Sequence, residues 1–342
     1  MEANFNSLRR IFRHRLLNGL IKLTIVLLLA WSLYRQVFRG GDPLALWRLF
    51  QENWQSGRCL WLLAVIGMAP LNWGLETRKW QVLVGRFVRL GFWRSYAAVL
   101  AGVTVSLFTP NRIGEYGGRI LLVNARYNWQ AVLATLVGSF SQILSLLTFG
   151  WLGFWQLLSG RWQVQPDWMA VLGPLGLIVL GLLWWGYFNL HRWIAWFDRR
   201  RWPARWYRAW RWLRLLGRYR RKELAGAALF SFLRYLTYVC QYLFLLWFFE
   251  VEVPWLPGLG GIAAIYFAQT SVPLPPLIGL LTRGQMALLV WTPFSGSELS
   301  LLAVPFGLFV INLAVPALLG MAIIVQTNVI KSLGYENGAQ SS

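Results

Sequence analysis

Long apolar runs dominate this chain and restrict it to folds that can exist in a lipid bilayer. Eight runs of 17 or more mainly apolar residues recur along the 342 residues, and a helix of that length can cross a membrane. Only 13% of the residues are charged, against about 25% in soluble domains. The runs lie at 20–38, 59–75, 92–108, 130–157, 168–190, 224–248, 256–272 and 300–325. They predict an all-α, polytopic membrane protein that forms a single transmembrane domain over 1–342.

Basic residues predict which ends of these runs face the cytoplasm. Four arginines precede the first run, and residues 192–222 carry twelve Lys or Arg residues against one acid, Asp198. Cytoplasmic loops of membrane proteins are enriched in Lys and Arg. We therefore expect a multi-pass protein of the bacterial cytoplasmic (inner) membrane, with the N-terminus and 191–223 in the cytoplasm.

Within the basic segment, residues 203–221 place apolar and basic side chains on opposite faces of a helix. The apolar face would hold Trp206, Ala209, Trp210, Leu213 and Leu216, and the basic face Arg208, Arg211, Arg214 and Arg218. Such a helix can lie on an anionic lipid surface, although a plain cytoplasmic loop would show the same charge bias. Nucleic-acid binding is not expected, because no nucleic-acid motif accompanies the charge.

The number of crossings requires two of the runs to fold back on themselves. Three runs lie between two basic loops on the same side, and an odd number of crossings cannot join them. The two loops lie on the same side if 92–108 returns through 110–125. The same problem in the second half is solved if 256–272 returns through 276–293. This gives about six full spans plus two re-entrant or broken-helix hairpins. The pseudo-repeats would cover about 1–158 and 159–342 with inverted topology, an arrangement common in transporters.

The first hairpin carries the most informative charges in the chain. Arg112, Glu115 and Arg119 directly follow an apolar run, and charges at membrane depth are costly and usually functional. Thr109 and Pro110 predict a helix start, which would place the three charges on one face. Glycines, among them Gly114, would allow a backbone or a headgroup to approach. A helix N-terminus with arginines suits a phosphate.

Two roles remain open for these charges. They can form an internal ion pair that locks the hairpin, because a buried charge needs a partner. Alternatively, Glu115 organises Arg112 and Arg119, and the arginines bind a ligand anion. Arg283, near the start of the second return arm, can add another cationic donor.

A second polar cluster, Asn72, Glu76, Lys79 and Trp80, lies at the end of the run 59–75. At the cytoplasmic end of a span, it is typical of snorkelling cations with an aromatic anchor, or it contacts a lipid headgroup. Arg234 lies too deep in its run to snorkel, and Glu115 is a possible partner. Three glutamines in apolar runs, Gln142, Gln241 and Gln269, are typical of contacts between helices.

Two motifs resemble the transmembrane region of the lysylphosphatidylglycerol synthase, or flippase-like, family. They are Leu71–Trp80 and the pattern Thr-Pro-x-Arg-x-Gly-Glu-x-x-x-Arg, whose positions here are Thr109, Pro110, Arg112, Gly114, Glu115 and Arg119. The resemblance covers about 10–325 and implies the lipid-translocating half, without the aminoacyl-transferase domain of the synthases. The family's second motif ends in a glutamate, whereas the segment 273–284 has Arg283 and no glutamate.

These observations favour a lipid flippase or transporter over an enzyme. The expected cargo is an anionic phospholipid or a polyprenyl-phosphate-type lipid, with membrane lipids as partners and no cofactor or metal. The alternatives are a scaffold or accessory subunit of a cell-envelope enzyme, and a lipid-phosphate enzyme. The second of these is disfavoured, because acid–base chemistry needs a second carboxylate or a histidine near Glu115. A homo-oligomer or an envelope-enzyme partner stays possible.

Overall fold

The chain is α-helical throughout the part that the structure describes. This computed structural model describes residues 43–327, except 108, 110, 111, 161–165, 200–203, 272–275 and 296, together with 19–21, 23–25, 27, 28 and 31. The helices are α1 (Pro43–Asn53), α2 (Cys59–Val84), α3 (Phe92–Leu107), α4 (Gly114–Ile120), α5 (Asn128–Gly160), α6 (Pro166–Phe188), α7 (Leu190–Asp198), α8 (Ala204–Leu213), α9 (Arg221–Phe248), α10 (Trp255–Ser271), α11 (Pro276–Trp291), α12 (Glu298–Phe309) and α13 (Val315–Gln326). No strand occurs among these residues, which confirms the predicted all-α class.

Five helical stretches are long and apolar enough to cross a membrane. They are Leu44–Val84, Ala125–Gln156, Ala170–Phe188, Arg221–Phe248 and Glu298–Gln326. Each contains one of the predicted full spans, or nearly all of it. The remaining predicted span, 20–38, lies mostly outside the described residues. The stretch Leu44–Val84 is kinked rather than straight, because Gly57 has a φ of 80° between α1 and α2, a conformation that only glycine adopts readily.

The first predicted hairpin is present, with a return arm shorter than expected. The chain reverses after α3, and α4 packs back along it. A side chain at Gly114 or Gly118 would collide with the backbone of α3, so the two helices touch backbone to backbone. α4 has 7 residues, about 10 Å at 1.5 Å per residue, against a hydrocarbon core of about 30 Å. Helix α4 is therefore too short to cross a membrane, so the return arm is re-entrant.

The second hairpin pairs α10 with α11, close to the predicted limits 256–272 and 276–293. Each hairpin also packs against the last long helix of the other half. The α5 helix lies along α10, and α13 lies along α3, where Thr104 donates to the carbonyl oxygen of Ala317 at 2.7 Å. The long helices α2 and α9 pack together between the hairpins. This equivalent packing fits an inverted repeat, whose orientation and boundary near residue 158 stay predictions.

The basic segment folds into two short helices that pack on each other. Asp198 at the end of α7 accepts from Trp210 Nε1 at 2.8 Å and pairs with Arg214 Nε at 2.6 Å. A helix at the predicted amphipathic segment is confirmed, but α8 ends at Leu213 and the next turn is a 3₁₀ helix. Leu213 is exposed rather than on a buried face with Trp210 and Leu216. The side chains of Trp206, Arg208 and Ala209 lie outside the described residues.

Candidate functional site

Glu76 is the centre of a buried ionic cluster between the helices. Its carboxylate lies 2.6 Å from Lys79 Nζ and 2.6 Å from Arg234 Nη1, and Arg119 Nη2 lies 2.7 Å from its other oxygen. Glu76, Lys79, Arg119 and Arg234 are all buried, with at most 6% of each residue exposed. Helices α2, α4 and α9 are therefore joined by three cations that share one carboxylate.

The interpretation of Lys79 as a snorkelling cation was wrong, and Asn72, Glu76 and Trp80 are buried with it. Helix α2 continues to Val84 rather than ending near residue 75, and α5 and α9 cover this part of it. Lys79 is 1% exposed, and it donates to Gln142 at 3.2 Å as well as pairing with Glu76. The four side chains are closed off from any headgroup at the membrane surface in this conformation.

Aromatic rings cover the buried arginines. The guanidinium of Arg119 lies 5.6 Å from the ring centre of Trp80, and that of Arg234 lies 4.9 Å from Trp73. Trp80 is held in turn by a 3.0 Å hydrogen bond from its Nε1 to Thr135. Cations over aromatic faces are stabilised when water is excluded, so α2 supplies both the carboxylate and the rings that hold the two arginines.

The first hairpin brings Arg112, Glu115 and Arg119 together, but not on one helix face. Glu115 pairs with Arg119, and its other oxygen lies 3.8 Å from Arg112 Nη2. Arg112 has a φ of 58°, the left-handed region, and the helix begins only at Gly114. Arg112 is therefore part of the reversal that precedes the helix. Its side chain still reaches Glu115 because the two residues are close in sequence.

Thr109 performs the capping role that the sequence predicted, at a longer spacing. Its hydroxyl accepts a 2.8 Å hydrogen bond from the amide of Gly114, five residues later, and this satisfies a free amide at the start of α4. Pro110, predicted as the first helical residue, lies outside the described residues. The reversal therefore brings Arg112 between the capping threonine and the helix.

The two arginines of the motif differ in access. Arg119 is 1% exposed and lies between two carboxylates, so it is committed to the protein. The side chain of Arg112 is 48% exposed, and its only ion pair with a described residue is the 3.8 Å contact to Glu115. The ion pair that fixes the hairpin is thus present and involves Arg119, whereas binding of an anion by Arg112 stays a prediction.

Arg234 has a partner that sequence reasoning missed. Besides Glu76, its Nε donates to Asn72 at 2.8 Å and its Nη2 to Tyr238 at 3.3 Å. Glu76 and Arg234 are 158 residues apart, so no local pattern could have joined them. One signal was available, because Glu76 directly follows the apolar run 59–75 and a buried arginine needs an acidic partner.

Amides continue the polar network from Asn72 across the centre of the molecule. Asn72 donates to Asn312 at 2.9 Å, Asn312 donates to Gln241 at 3.1 Å, and Gln241 donates to the carbonyl oxygen of Val65 at 3.0 Å. Gln142 similarly donates to the carbonyl oxygen of Ser231 at 3.3 Å. Gln241 and Gln142 thus join helices, as predicted, and they hold α2, α5 and α9 in register around the ionic cluster.

A cavity of about 310 Å³ opens beside this cluster, between the two hairpins. Arg112, Arg234 and Arg283 line it, and no Asp or Glu is among its described lining residues. Its remaining polar lining consists of Ser106, Gln142, Tyr238, Tyr242, Tyr266, Gln269, Thr270, Thr282 and Asn312. The three arginines come from the reversal of the first hairpin, from α9 and from α11. Guanidinium and phenol donors around one cavity suit an oxyanion.

The described residues form no comparable site for a metal ion. Within the described ranges, no group of three or more His, Cys, Asp or Glu side chains is placed to hold a metal ion. Cys59 and Cys240 are both free thiols. The polar chemistry of the described core is therefore that of arginine, tyrosine and amide groups around two carboxylates.

The family resemblance indicated by the two motifs is confirmed over most of the chain. The model of the family described as lysylphosphatidylglycerol synthase TM region matches residues 19–320. No curated protein and no solved structure gives a significant match to the chain. The matched region includes the ionic cluster, both hairpins and every residue that lines the cavity. The chain therefore belongs to the lysylphosphatidylglycerol synthase transmembrane-region family, and it is a multi-pass membrane protein of lipid metabolism or transport.

Proposed function

We propose that this protein moves an anionic lipid between the leaflets of a membrane, with the lipid phosphate bound in the central cavity. One observation carries the proposal: three arginines from three separate elements line a cavity of about 310 Å³ between two hairpins. Arginine binds phosphate oxygens in a bidentate manner. Cations at membrane depth are costly and usually mark a substrate path, so the cavity is the place where a headgroup can be held while its tails remain in lipid.

The three arginines have different anchors, and this suggests different tasks. Arg234 is held by Glu76, Asn72 and Tyr238, so it offers a fixed positive site. Within the described part of the chain, Arg112 has a single ion pair, the 3.8 Å contact to Glu115, and it precedes helix α4. An incoming phosphate can replace Glu115 as its partner. Arg112 is therefore the arginine that we expect to move as the ligand binds and leaves.

The hairpins offer a route for alternating access. Arg112 lies on the first hairpin and Arg283 on the second, and both line the same cavity. In transporters built from repeats, one part rocks against the other around a central site. A small rotation of either hairpin would change the distance between these arginines, and would open the cavity to one leaflet and then to the other.

Transport fits this site better than catalysis does. The nearest carboxylates are Glu76 and Glu115, and each is already paired with two or more cations. Neither lines the cavity, so neither is placed as a general acid or base. The sequence has no P-loop pattern, which disfavours ATP as the drive. We expect a gradient, or the distribution of the lipid itself, to provide the energy.

The same proposal includes the location and orientation of the protein. The many basic residues in the segment 191–223 and the arginines before residue 16 support a cytoplasmic position for that segment and for the N-terminus. The membrane would then be the bacterial inner membrane. The exposed residues Trp193 and Trp196 on α7 suit an interfacial position, as expected for a short helix that lies on anionic lipid.

Liposomes that contain the purified protein and a fluorescent anionic lipid test the function. We expect lipid movement above the protein-free rate, and a decrease of about tenfold or more in Arg112→Gln and Arg283→Gln, since one lost charge-assisted bond is worth about 1.5–3 kcal/mol. The matched control is Arg126→Gln, which removes an exposed arginine outside the cavity. Equal rates in all variants would contradict the site and favour a scaffold role.

A further inference from the structure

The cavity and its surroundings carry more positive than negative charge. Two carboxylates, Glu76 and Glu115, face five cations. The cations are Lys79, Arg112, Arg119, Arg234 and Arg283. Together, the cluster and the described cavity lining therefore carry a net charge of +3. Lys79 and Arg119 are each 1% exposed, and the other three cations line the cavity.

No hidden acid in the hairpins reduces this excess. The reversal 108–111 and the segment 272–281 contain no Asp or Glu in the sequence, so neither can supply a carboxylate to the cavity. Among the described residues, no ion pair joins Arg283 to an acid. Other acids near the helix ends are engaged elsewhere, because Glu223 pairs with Arg86 and Glu250 pairs with Arg58.

This excess of positive charge determines how much negative charge a matching ligand carries. Cations that are withdrawn from water must be compensated, and an arginine guanidinium cannot give up its proton. A phosphodiester headgroup carries one negative charge and would leave two arginines uncompensated. A phosphomonoester carries about −1.5 to −2 at neutral pH, and a diphosphate carries at least as much.

The donors around the cavity support the same choice. The phenol oxygen of Tyr238 accepts from Arg234, and that of Tyr242 accepts from Trp291 Nε1 at 3.2 Å, so each phenol hydrogen can point to a ligand. With three guanidinium groups, these donors match a phosphate that presents three unesterified oxygens. A diester presents only two, and its second substituent needs space of its own in the cavity.

We infer that the cavity selects lipids that end in a phosphomonoester or a diphosphate over phosphodiester lipids. The inference rests on the proposed transport function for its setting, but it concerns binding and can be tested without transport. It narrows the cargo to a terminal phosphate on one or more lipid tails, because the described groups in and beside the cavity carry five cations against two carboxylates.

Ligand-dependent thermal stabilisation of the purified full chain in detergent measures this selectivity. Phosphatidic acid and phosphatidylglycerol with identical acyl chains serve as the monoester and diester probes. We expect phosphatidic acid to bind about tenfold more tightly, the effect of roughly one additional charge-assisted hydrogen bond. Equal affinity for the two lipids in the parent protein would overturn the inference, even if both lipids are transported.

Variants at Arg283 locate the selectivity in the cavity. Arg283→Gln should bring the two affinities to within about threefold, whereas Arg283→Lys, which keeps the charge, should retain most of the preference. Arg126→Gln should behave like the parent. If Arg283→Gln keeps the full preference, the charge excess is not the cause and the inference fails. A folded variant is shown by a melting temperature without ligand that matches the parent.

Two further arms separate the possible sources of the phosphate and the two levels of the proposal. Glycerol 3-phosphate and inorganic phosphate offer the same terminal phosphate without lipid tails, so stabilisation by them equal to that by phosphatidic acid would contradict a lipid ligand. Preferential binding of phosphatidic acid without any lipid movement in liposomes would support the inference and contradict the transport function. Lipid movement without preferential binding of phosphatidic acid would support the transport function and contradict the inference.

Discussion

At the scale of residues, the stability of the site depends on Glu76. It is the only described carboxylate that contacts Lys79 and Arg234, and it shares Arg119 with Glu115. Removing one partner of a buried ion pair costs more stability than replacing the whole pair by apolar residues, because the remaining charge stays in a medium of low polarity. Arg112 differs from these cations, because its side chain is 48% exposed and lies 3.8 Å from Glu115.

Glu76→Gln should therefore destabilise the protein by about 3–5 kcal/mol, the usual effect of breaking a buried pair. The measurement is the midpoint of unfolding in detergent. The control is Glu250→Gln, which removes an exposed partner of Arg58 and should change stability by about 1 kcal/mol or less. Two variants of equal stability would show that the cluster is not the structural centre described above.

The sequence predicted the residues of this site more successfully than their contacts. Arg112, Glu115 and Arg119 could be recognised because they are local and lie beside an apolar run. The contacts of Glu76 could not, because Arg119 and Arg234 reach it from 43 and 158 residues away. The reading of Lys79 as a snorkelling side chain failed for the same reason, since burial by α5 and α9 leaves no periodic signal in α2.

At the scale of elements, close contact between backbones holds the re-entrant arm. Gly118 faces the backbone of α3 at Ala101 and Gly102, whereas a side chain at the neighbouring Gly117 would meet nothing within 4 Å. Helix α4 has only 7 residues, too few to be stable without tertiary contacts. Its position, and that of Arg112 and Glu115, therefore depends on this glycine contact.

Adjacent glycines give a matched test of that contact. Gly118→Ala should destabilise the protein by about 1–3 kcal/mol through overpacking, and it should also impair lipid movement by displacing Glu115. Gly117→Ala should be neutral or slightly stabilising, because alanine favours a helix over glycine by about 1 kcal/mol. Thermal unfolding of both variants checks this, and a larger effect at Gly117 would be inconsistent with the packing of α4 on α3.

The basic helices make a prediction about pH. A hydrogen bond from Trp210 and the nearby Arg214 lower the pKa of Asp198. A carboxyl whose pKa is lowered by folding contributes stability above its unfolded pKa, near 3.9, and loses it as pH falls through the folded value. Packing of α8 on α7 should thus loosen below about pH 4. Hydrogen exchange of α8, corrected for intrinsic rates, should show this in the parent and not in Asp198→Asn.

At the scale of the whole molecule, the required number of membrane crossings was the observation that predicted the topology. Counting them between basic loops predicted two hairpins, and the structure has both, at α3–α4 and α10–α11. Chain length and charge could not show that the helix of the first return arm has only 7 residues. That outcome depends on backbone contact with α3. The cross-packing of α5 on α10 and α13 on α3 also arises only in three dimensions.

The central claim is that the cavity between the hairpins holds an anionic lipid by its phosphate. Mass spectrometry of lipids that co-purify with the protein tests it most directly, in the parent, in Arg112→Gln combined with Arg283→Gln, and in Arg126→Gln. We expect an enriched lipid with a terminal phosphate in the parent and in Arg126→Gln, and a loss of about tenfold or more in the double variant. The same lipids at the same levels in all three proteins would contradict the claim.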